Sequence, residues 1–149
     1  MKIPESVLVV VHTSQARVLL LERADHPGFW QSVTGSREPG DSDLPATCLR
    51  ELGEETGLGP ADGELTDWRR TNRYRIYPHW RSRYAPGVTH NTEHVFGFEL
   101  EREREIVLAP DEHTRYRWLD WRAAAERCFS TTNIAAIREV PARLGQGRA

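Results

Sequence analysis

Nine consecutive residues, Arg50-Glu51-Leu52-Gly53-Glu54-Glu55-Thr56-Gly57-Leu58, gather three carboxylates beside one guanidinium. At about 100° per residue, Glu51, Glu54 and Glu55 share an arc of roughly 100° on a helix, and Pro45, Cys48, Leu49 and Leu52 occupy the adjoining arc. Like charges at i, i+3 or i, i+4 each cost a helix about 0.2–0.5 kcal/mol. A helix selected only for stability would therefore interleave cations, yet Arg50 alone flanks the cluster. Most charge runs are solvated helical faces. Converging carboxylates with few counter-charges instead suit a hard divalent cation, and Mg²⁺ takes one or two carboxylates together with substrate phosphates.

A second constellation lies downstream. Arg69, Arg70, Arg73, Arg75, Arg81 and Arg83 are interleaved with Tyr74, Tyr77, His79, Trp80 and Tyr84. Guanidinium groups grip phosphate oxygens in pairs and aromatic faces stack flat heterocycles, so the pattern suits a phosphorylated ring compound. The plainer alternative is an exposed strand carrying arginine through compositional bias, since Lys2 is the sole lysine of the chain.

Both groups need elements to hold them. Gly57 supplies a left-handed position that stops the acidic helix, with Leu58 as its hydrophobic contact. The helix is preceded by an expected strand, Phe29 to Thr34, which ends at Gly35 in a loop from Ser36 to Asp43 rich in Gly, Pro and Asp. Further upstream, Ser6 to His12 reads as a strand buried on both faces and Arg17 to Arg23 as its hairpin partner. Downstream strands are expected at Leu65 to Tyr77, Thr92 to Leu100 (Phe96 and Phe98 inward), Ile106 to Leu108 and Tyr116 to Leu119, with Arg81 to Gly87 a loop. Helices are expected at Trp121 to Phe129 and at Thr132 to Val140, the second capped by Ser130 or Thr131.

At 149 residues with a net charge of −2, the chain fits one domain over residues 1–149, with 141–149 a flexible tail. The balance of charge argues against a general nucleic-acid binder. No apolar run approaches membrane-spanning length, and Val7 to Val11 is too short for a signal peptide, so a cytoplasmic protein with no membrane partner is expected. Cys48 and Cys128 read as small core residues rather than a redox pair. The oligomeric state is left open, a monomer being compatible with all of this.

The stretch from Gly35 to Leu58 resembles the Nudix box, G-x5-E-x7-R-E-U-x-E-E-x-G-U with U aliphatic. Its second half matches at every fixed position. In the first half, counting back from Arg50 puts the expected glutamate at Ser42 and counting forward from Gly35 puts it at Asp41. The loop thus holds one extra residue, and an aspartate stands for the glutamate. Within that family, Phe29 to Ser36, Arg83 to Thr89 followed by Asn91-Thr92-Glu93, and Trp118-Leu119-Asp120 are similar to the branch that removes pyrophosphate from dihydroneopterin triphosphate in folate biosynthesis, over about Lys2 to Ile137.

That resemblance implies an α+β Nudix fold, a mixed β-sheet in an α/β/α sandwich, and a Mg²⁺-dependent pyrophosphohydrolase (Mn²⁺ as substitute) acting on a small-molecule triphosphate. It implies metal ligands Glu51, Glu55 and a distal Glu112, with Glu54 close by; Asp111 competes with Glu112. Arg50, Glu51, Glu54 and Glu55 are the candidate catalytic residues, and the general base could be any of the three glutamates. Substrate contacts are implied at Lys2, Arg23, Thr34, Tyr74, Arg75, Ile76, Tyr77 and Ser130. Two alternatives stand beside this reading: a Nudix hydrolase of dNTPs or oxidised dNTPs, and a non-catalytic Nudix-like binding module, which would be expected to have lost glutamates from the turn.

Overall fold

The computed structural model describes residues 1–144. Its elements run β1 (Glu5–Thr13), β2 (Arg17–Arg23), β3 (Trp30–Gln31), β4 (Val33–Ser36), α1 (Leu44–Thr56), β5 (Glu64–Arg75), a 3-10 helix (Pro78–Arg83), β6 (His90–Leu100), β7 (His113–Asp120), α2 (Trp121–Arg127), α3 (Thr131–Arg138) and α4 (Val140–Leu144). β1 is buried over most of its length because it lies mid-sheet. β6 runs parallel to it, β4 pairs antiparallel over Ser6 to Val9, and β2 pairs antiparallel at His12.

The alternation of β1 sends its side chains into two separate cores. Val7, Val9 and Val11 meet Cys48 and Leu52 of α1 together with Phe96 and Phe98. Leu8 and Val10 meet Ala124 and Ala125 of α2, Ala136 and Ile137 of α3, and Val140. Each fully buried large apolar side chain contributes about 1.5–3 kcal/mol relative to exposure, and both helical layers are fastened to the sheet in this way. The architecture is the expected mixed sheet between helices, and no helix among the described residues is long and apolar enough to cross a membrane.

Among the described residues β5 has a strand neighbour on one side only, β6. Their ladder shifts register between Asp67 and Arg70, where Arg69 takes φ 53°.

Several expected boundaries move. The strand expected over Phe29 to Thr34 is two short strands, β3 on β2 and β4 on β1, because the buried Ser32 N–H between them is held by Asn133 Oδ1 at 2.8 Å instead of by a ladder. Ile106 to Leu108 forms no strand: Ile106 is buried under α1 and the Val107 N–H donates to Thr56 O at 2.9 Å, so the segment closes the end of the helix. The loop expected at Arg81 begins as the 3-10 helix, and β5 stops at Arg75, before Ile76 and Tyr77. Residues 141–144 of the expected tail belong to α4; 145–149 lie outside the described residues.

Candidate active site

α1 is held at both ends. Asp43 caps its N-terminus by accepting from the Ala46 N–H at 2.8 Å, and Gly57, at φ 76°, donates its N–H to Gly53 O as the left-handed stop. With Cys48 and Leu52 fully buried in the core, the rotation of the helix is set and Glu51 and Glu55 are turned toward β4. Gly35 on β4 completes the fit. A Cβ there would overlap the Glu51 carboxyl, so the strand approaches the helix only because residue 35 has no side chain.

Arg50 organises the loop in front of this turn. Its Nε and Nη2 lie 3.1 and 3.0 Å from the Asp41 carboxylate, its Nη1 lies 3.0 Å from Glu51, and its Nη2 donates to Ser36 O at 2.9 Å. Asp41 also accepts from the Glu38 N–H and the Thr47 hydroxyl, at 2.9 and 2.8 Å. These donors, Arg50 foremost, hold the Asp41 carboxyl well below the usual carboxylate range. The aspartate in place of glutamate thus closes the loop from its own register, and the extra residue is absorbed beyond it.

Behind Arg50 lies a buried acidic pair. Glu55 is 1% exposed and shares a hydrogen bond with the part-buried Glu51; the Thr34 N–H is its backbone donor. Burial first, and then the charge of Glu51, push the Glu55 carboxyl far up. Burial also raises Glu51, opposed by its hydrogen bond with Glu55 and by Arg50. The start of β7 brings up Glu112 and His113, whose ligand atoms lie with those of Glu55 within 4.8 Å of one another. His113 Nδ1 stands 3.7 Å from Glu55 Oε1, and burial lowers its pKa. Both this Nδ1 and Glu55 Oε2 are buried without a hydrogen-bond partner. Two orphaned ligand atoms amid carboxylates, with a neutral imidazole, are a donor set that fits a divalent cation.

Gln31 binds this corner together. Its Nε2 donates to Thr34 Oγ1 and lies 3.4 Å from His113 Nε2.

The sequence candidates fall into groups. Glu55 and Glu112 come together with His113, and it is Glu112, not Asp111, that joins the cluster; Glu51 and Thr34 stand behind it, each hydrogen-bonded to Glu55. Glu54 stands apart, its carboxylate half exposed and 3.4 Å from Arg50. Arg23 pairs with His113 in the β2–β7 ladder, with its guanidinium clamped on Asp25 at 2.8 and 2.7 Å. Lys2 and Arg83 line a cleft of about 390 Å³ with Ser36, Arg37 and Glu38. Ser130 precedes α3 and lies 3.2 Å from the Thr132 hydroxyl.

The run from Tyr74 to Tyr77 divides. Tyr74 is part exposed, and its hydroxyl accepts from Asn91; Arg75 is exposed; Ile76 is buried and presents no side chain to a ligand; Tyr77 is 63% exposed against His79 and Trp80. The arginine constellation divides as well. Arg70 is tied to Glu139 at 2.7 Å, Arg81 to the Ile76 carbonyl, and Arg83 lies over the Trp80 ring.

Sequence reasoning missed His113 and Gln31. A single histidine with no partner at metal-ligand spacing carries no signal, although its position directly after Glu112 at a strand start is a weak one.

A family model described as NUDIX domain matches residues 2–140. The chain is 46% identical over 141 residues to the dihydroneopterin triphosphate diphosphatase of Escherichia coli (strain K12), covering 93% of this chain and 92% of that protein. It is 41% identical over 138 residues to the protein of the same name from Haemophilus influenzae, covering 91% and 85%. The solved structure of the E. coli dihydroneopterin triphosphate pyrophosphohydrolase superposes with a TM-score of 0.81 at 45% identity, covering 93% of this chain and 94% of that one.

Proposed function

This chain belongs to the NUDIX domain family, and on that footing we propose that it hydrolyses dihydroneopterin triphosphate to dihydroneopterin monophosphate and pyrophosphate, as a single catalytic domain in the cytoplasm. The reading is supported by relatives at 46% and 41% identity, which carry that activity in their names over nearly the same length. The observation that carries the chemistry is Glu55. It is a carboxyl buried to 1% exposure with one oxygen unpartnered, facing Glu112 and His113 and backed by Glu51. An isolated protein has no reason to keep such a group, whereas a metal-dependent hydrolase does.

In this proposal Glu51, Glu55 and Glu112, with His113 beside them, hold a divalent cation, Mg²⁺ by preference and Mn²⁺ as a substitute. When bound, such an ion supplies Lewis acidity and offsets charge on phosphoryl oxygens. The chain's own groups do the rest. Arg50 fixes the Glu51 carboxylate and, through Asp41 and Ser36 O, the loop facing it. The Thr34 N–H and the Glu51 hydrogen bond orient Glu55. Glu54 stands at the rim, half exposed and 3.4 Å from Arg50. Lys2, Arg37 and Arg83 around the neighbouring cleft supply cations for the outer phosphates.

The test is kcat/KM for dihydroneopterin triphosphate against the four dNTPs with Mg²⁺, reading pyrophosphate directly. Hydrolysis in ¹⁸O-labelled water places the label in dihydroneopterin monophosphate. Orthophosphate as first product, or a tenfold preference for a dNTP, rejects the proposal.

A further inference from the structure

On the face of the sheet away from α1, the β registers set four polar side chains abreast. Ser36 of β4 pairs with Ser6 of β1, Ser6 with Glu93 of β6, and Glu93 with Asn72 of β5. Opposed residues point to the same face. One step inward the same row becomes Thr34, Leu8 and Val95, of which Leu8 and Val95 are the floor of the α2–α3 core. One step outward, Asn91 donates to Ser6 Oγ at 2.8 Å and to the Tyr74 hydroxyl at 2.9 Å. α3 roofs the row from Ser130 to Asn133, locked in place by the two hydrogen bonds between Asn133 and Ser32.

At the centre stands Glu93, 8% exposed. It accepts from Asn72 Nδ2 at 3.2 Å and from the Thr132 hydroxyl. Both donors are neutral, and burial raises its carboxyl above the ordinary range. Burying a carboxylate on neutral donors alone costs several kcal/mol. The core needs no such group at this point, since Leu8 and Val95 already fill it. Its surroundings are half open: Ser6, Thr34, Asn72, Ser130 and Thr132 are all of intermediate exposure, and Tyr74 is 43% exposed.

We propose that Glu93 is the ring-recognising residue, its carboxylate accepting the two adjacent N–H groups of a 2-amino-4-oxopyrimidine edge while Tyr74 covers a face of the ring. The inference deepens the proposed function and rests on it for the substrate. A pterin carries that edge, with the exocyclic amine and the neighbouring ring N–H side by side, matched to the two oxygens of one carboxylate. Guanine carries the same edge, adenine does not, and hypoxanthine lacks only the amine. Thr34 joins the two halves of the site, its hydroxyl on this face and its N–H on Glu55 at the other. Three substrate contacts implied by resemblance, Thr34, Tyr74 and Ser130, thereby fall around one carboxylate.

The experiment compares wild type with Glu93→Gln, which keeps size and the bonds to Asn72 and Thr132 while replacing one acceptor by a donor. Calorimetry gives dissociation constants for GTP and ITP, and turnover gives kcat/KM for dihydroneopterin triphosphate and dATP. The expected result is a loss of about 10–10²-fold in GTP affinity with ITP within about threefold, so that the preference for the amine disappears. kcat/KM for dihydroneopterin triphosphate falls in step while that for dATP holds. Glu93→Asp, which keeps the charge but withdraws it, loses the same preference in part. A wild type that does not prefer GTP over ITP, or a Gln variant that keeps the preference, overturns the assignment. So does a variant whose affinities for GTP and ITP fall equally with its Tm, which is what a purely structural residue gives. If wild type fails to turn over dihydroneopterin triphosphate, the proposed function falls, and the GTP and ITP pair still decides the role of Glu93.

Discussion

Glu55→Gln separates the stability of the acidic turn from its chemistry. The metal-free protein must bury Glu55 beside Glu51, and it does so by keeping a proton on the pair. The folded pKa of Glu55 is raised above its ordinary value of 4.5, so the unfolded chain releases that proton as pH climbs past 4.5 while the folded chain retains it. Stability therefore falls as pH rises above that value. Each pH unit is worth about 1.4 kcal/mol, which makes the ceiling at pH 7 about 3 kcal/mol. Glutamine has no proton to retain. Its oxygen still accepts from the Thr34 N–H, and its amide can donate to Glu51 in place of the shared proton. At about 2–4 °C per kcal/mol for a chain of this size, that ceiling corresponds to roughly 6–12 °C, so Glu55→Gln raises the Tm in EDTA at pH 7.5 by up to about that amount, and the gain shrinks toward zero at pH 5. With Mg²⁺ the order changes: wild type gains Tm, the variant gains less, and its kcat falls by about 10² or more. Scanning calorimetry at pH 5, 6 and 7.5, with EDTA and with Mg²⁺, reads all of this. A variant no more stable than wild type in EDTA at pH 7.5 refutes the reasoning.

Asp41→Ala removes the main anchor of Arg50, takes the Asp41 acceptor from the Glu38 N–H and leaves the Thr47 hydroxyl only its longer bond to Asp43 O, lowering stability by about 1.5–3 kcal/mol by urea titration. Because the folded pKa of Asp41 is depressed, this contribution is present above its ordinary 3.8 and is lost as pH falls through the folded value, so the difference between the proteins is flat from pH 5 to 8. Asn133→Ala strands the buried Ser32 N–H and costs about 1–3 kcal/mol; amide exchange accelerates at Ser32 ahead of β1. Tyr74→Ala lowers kcat/KM for dihydroneopterin triphosphate more than for dATP, whereas Arg23→Ala lowers both alike, and equal losses in both variants on both substrates contradict that division.

The parts of the molecule legible in the sequence are those specified by neighbours in the chain. Gly57 stops α1 by a local rule, and the glutamate spacing shows which face turns inward. β1 announces itself by an unbroken apolar run, Val7 to Val11, four of whose five residues are valine. What was illegible depends on partners far along the chain. The break at Ser32 is decided by a side chain on α3, and nothing within Phe29 to Thr34 betrays it. Ile106-Val107-Leu108 has strand composition but no free ladder to join, because the end of α1 takes its N–H. The arginine run reads as one phosphate grip, yet Arg70 and Arg81 are occupied by Glu139 and the Ile76 carbonyl. Glu112 came only with the family resemblance, and His113 not at all, since β7 reaches the site through pairing with β2 and not through any spacing from α1.

The unpaired side of β5 bears on how the protein behaves at high concentration. An edge strand of 12 residues with no second strand partner among the described residues is a template on which another molecule's strand can add. Arg69, Arg73 and Arg75 add like charge to that strand, and the register shift with Arg69 at φ 53° kinks it partway along. An incoming strand would meet electrostatic repulsion and lose its ladder at the kink. The arginine-rich segment thus guards against aggregation, and replacing its cations with neutral β-branched residues would expose the protein to sheet-to-sheet polymerisation while leaving the acidic turn untouched.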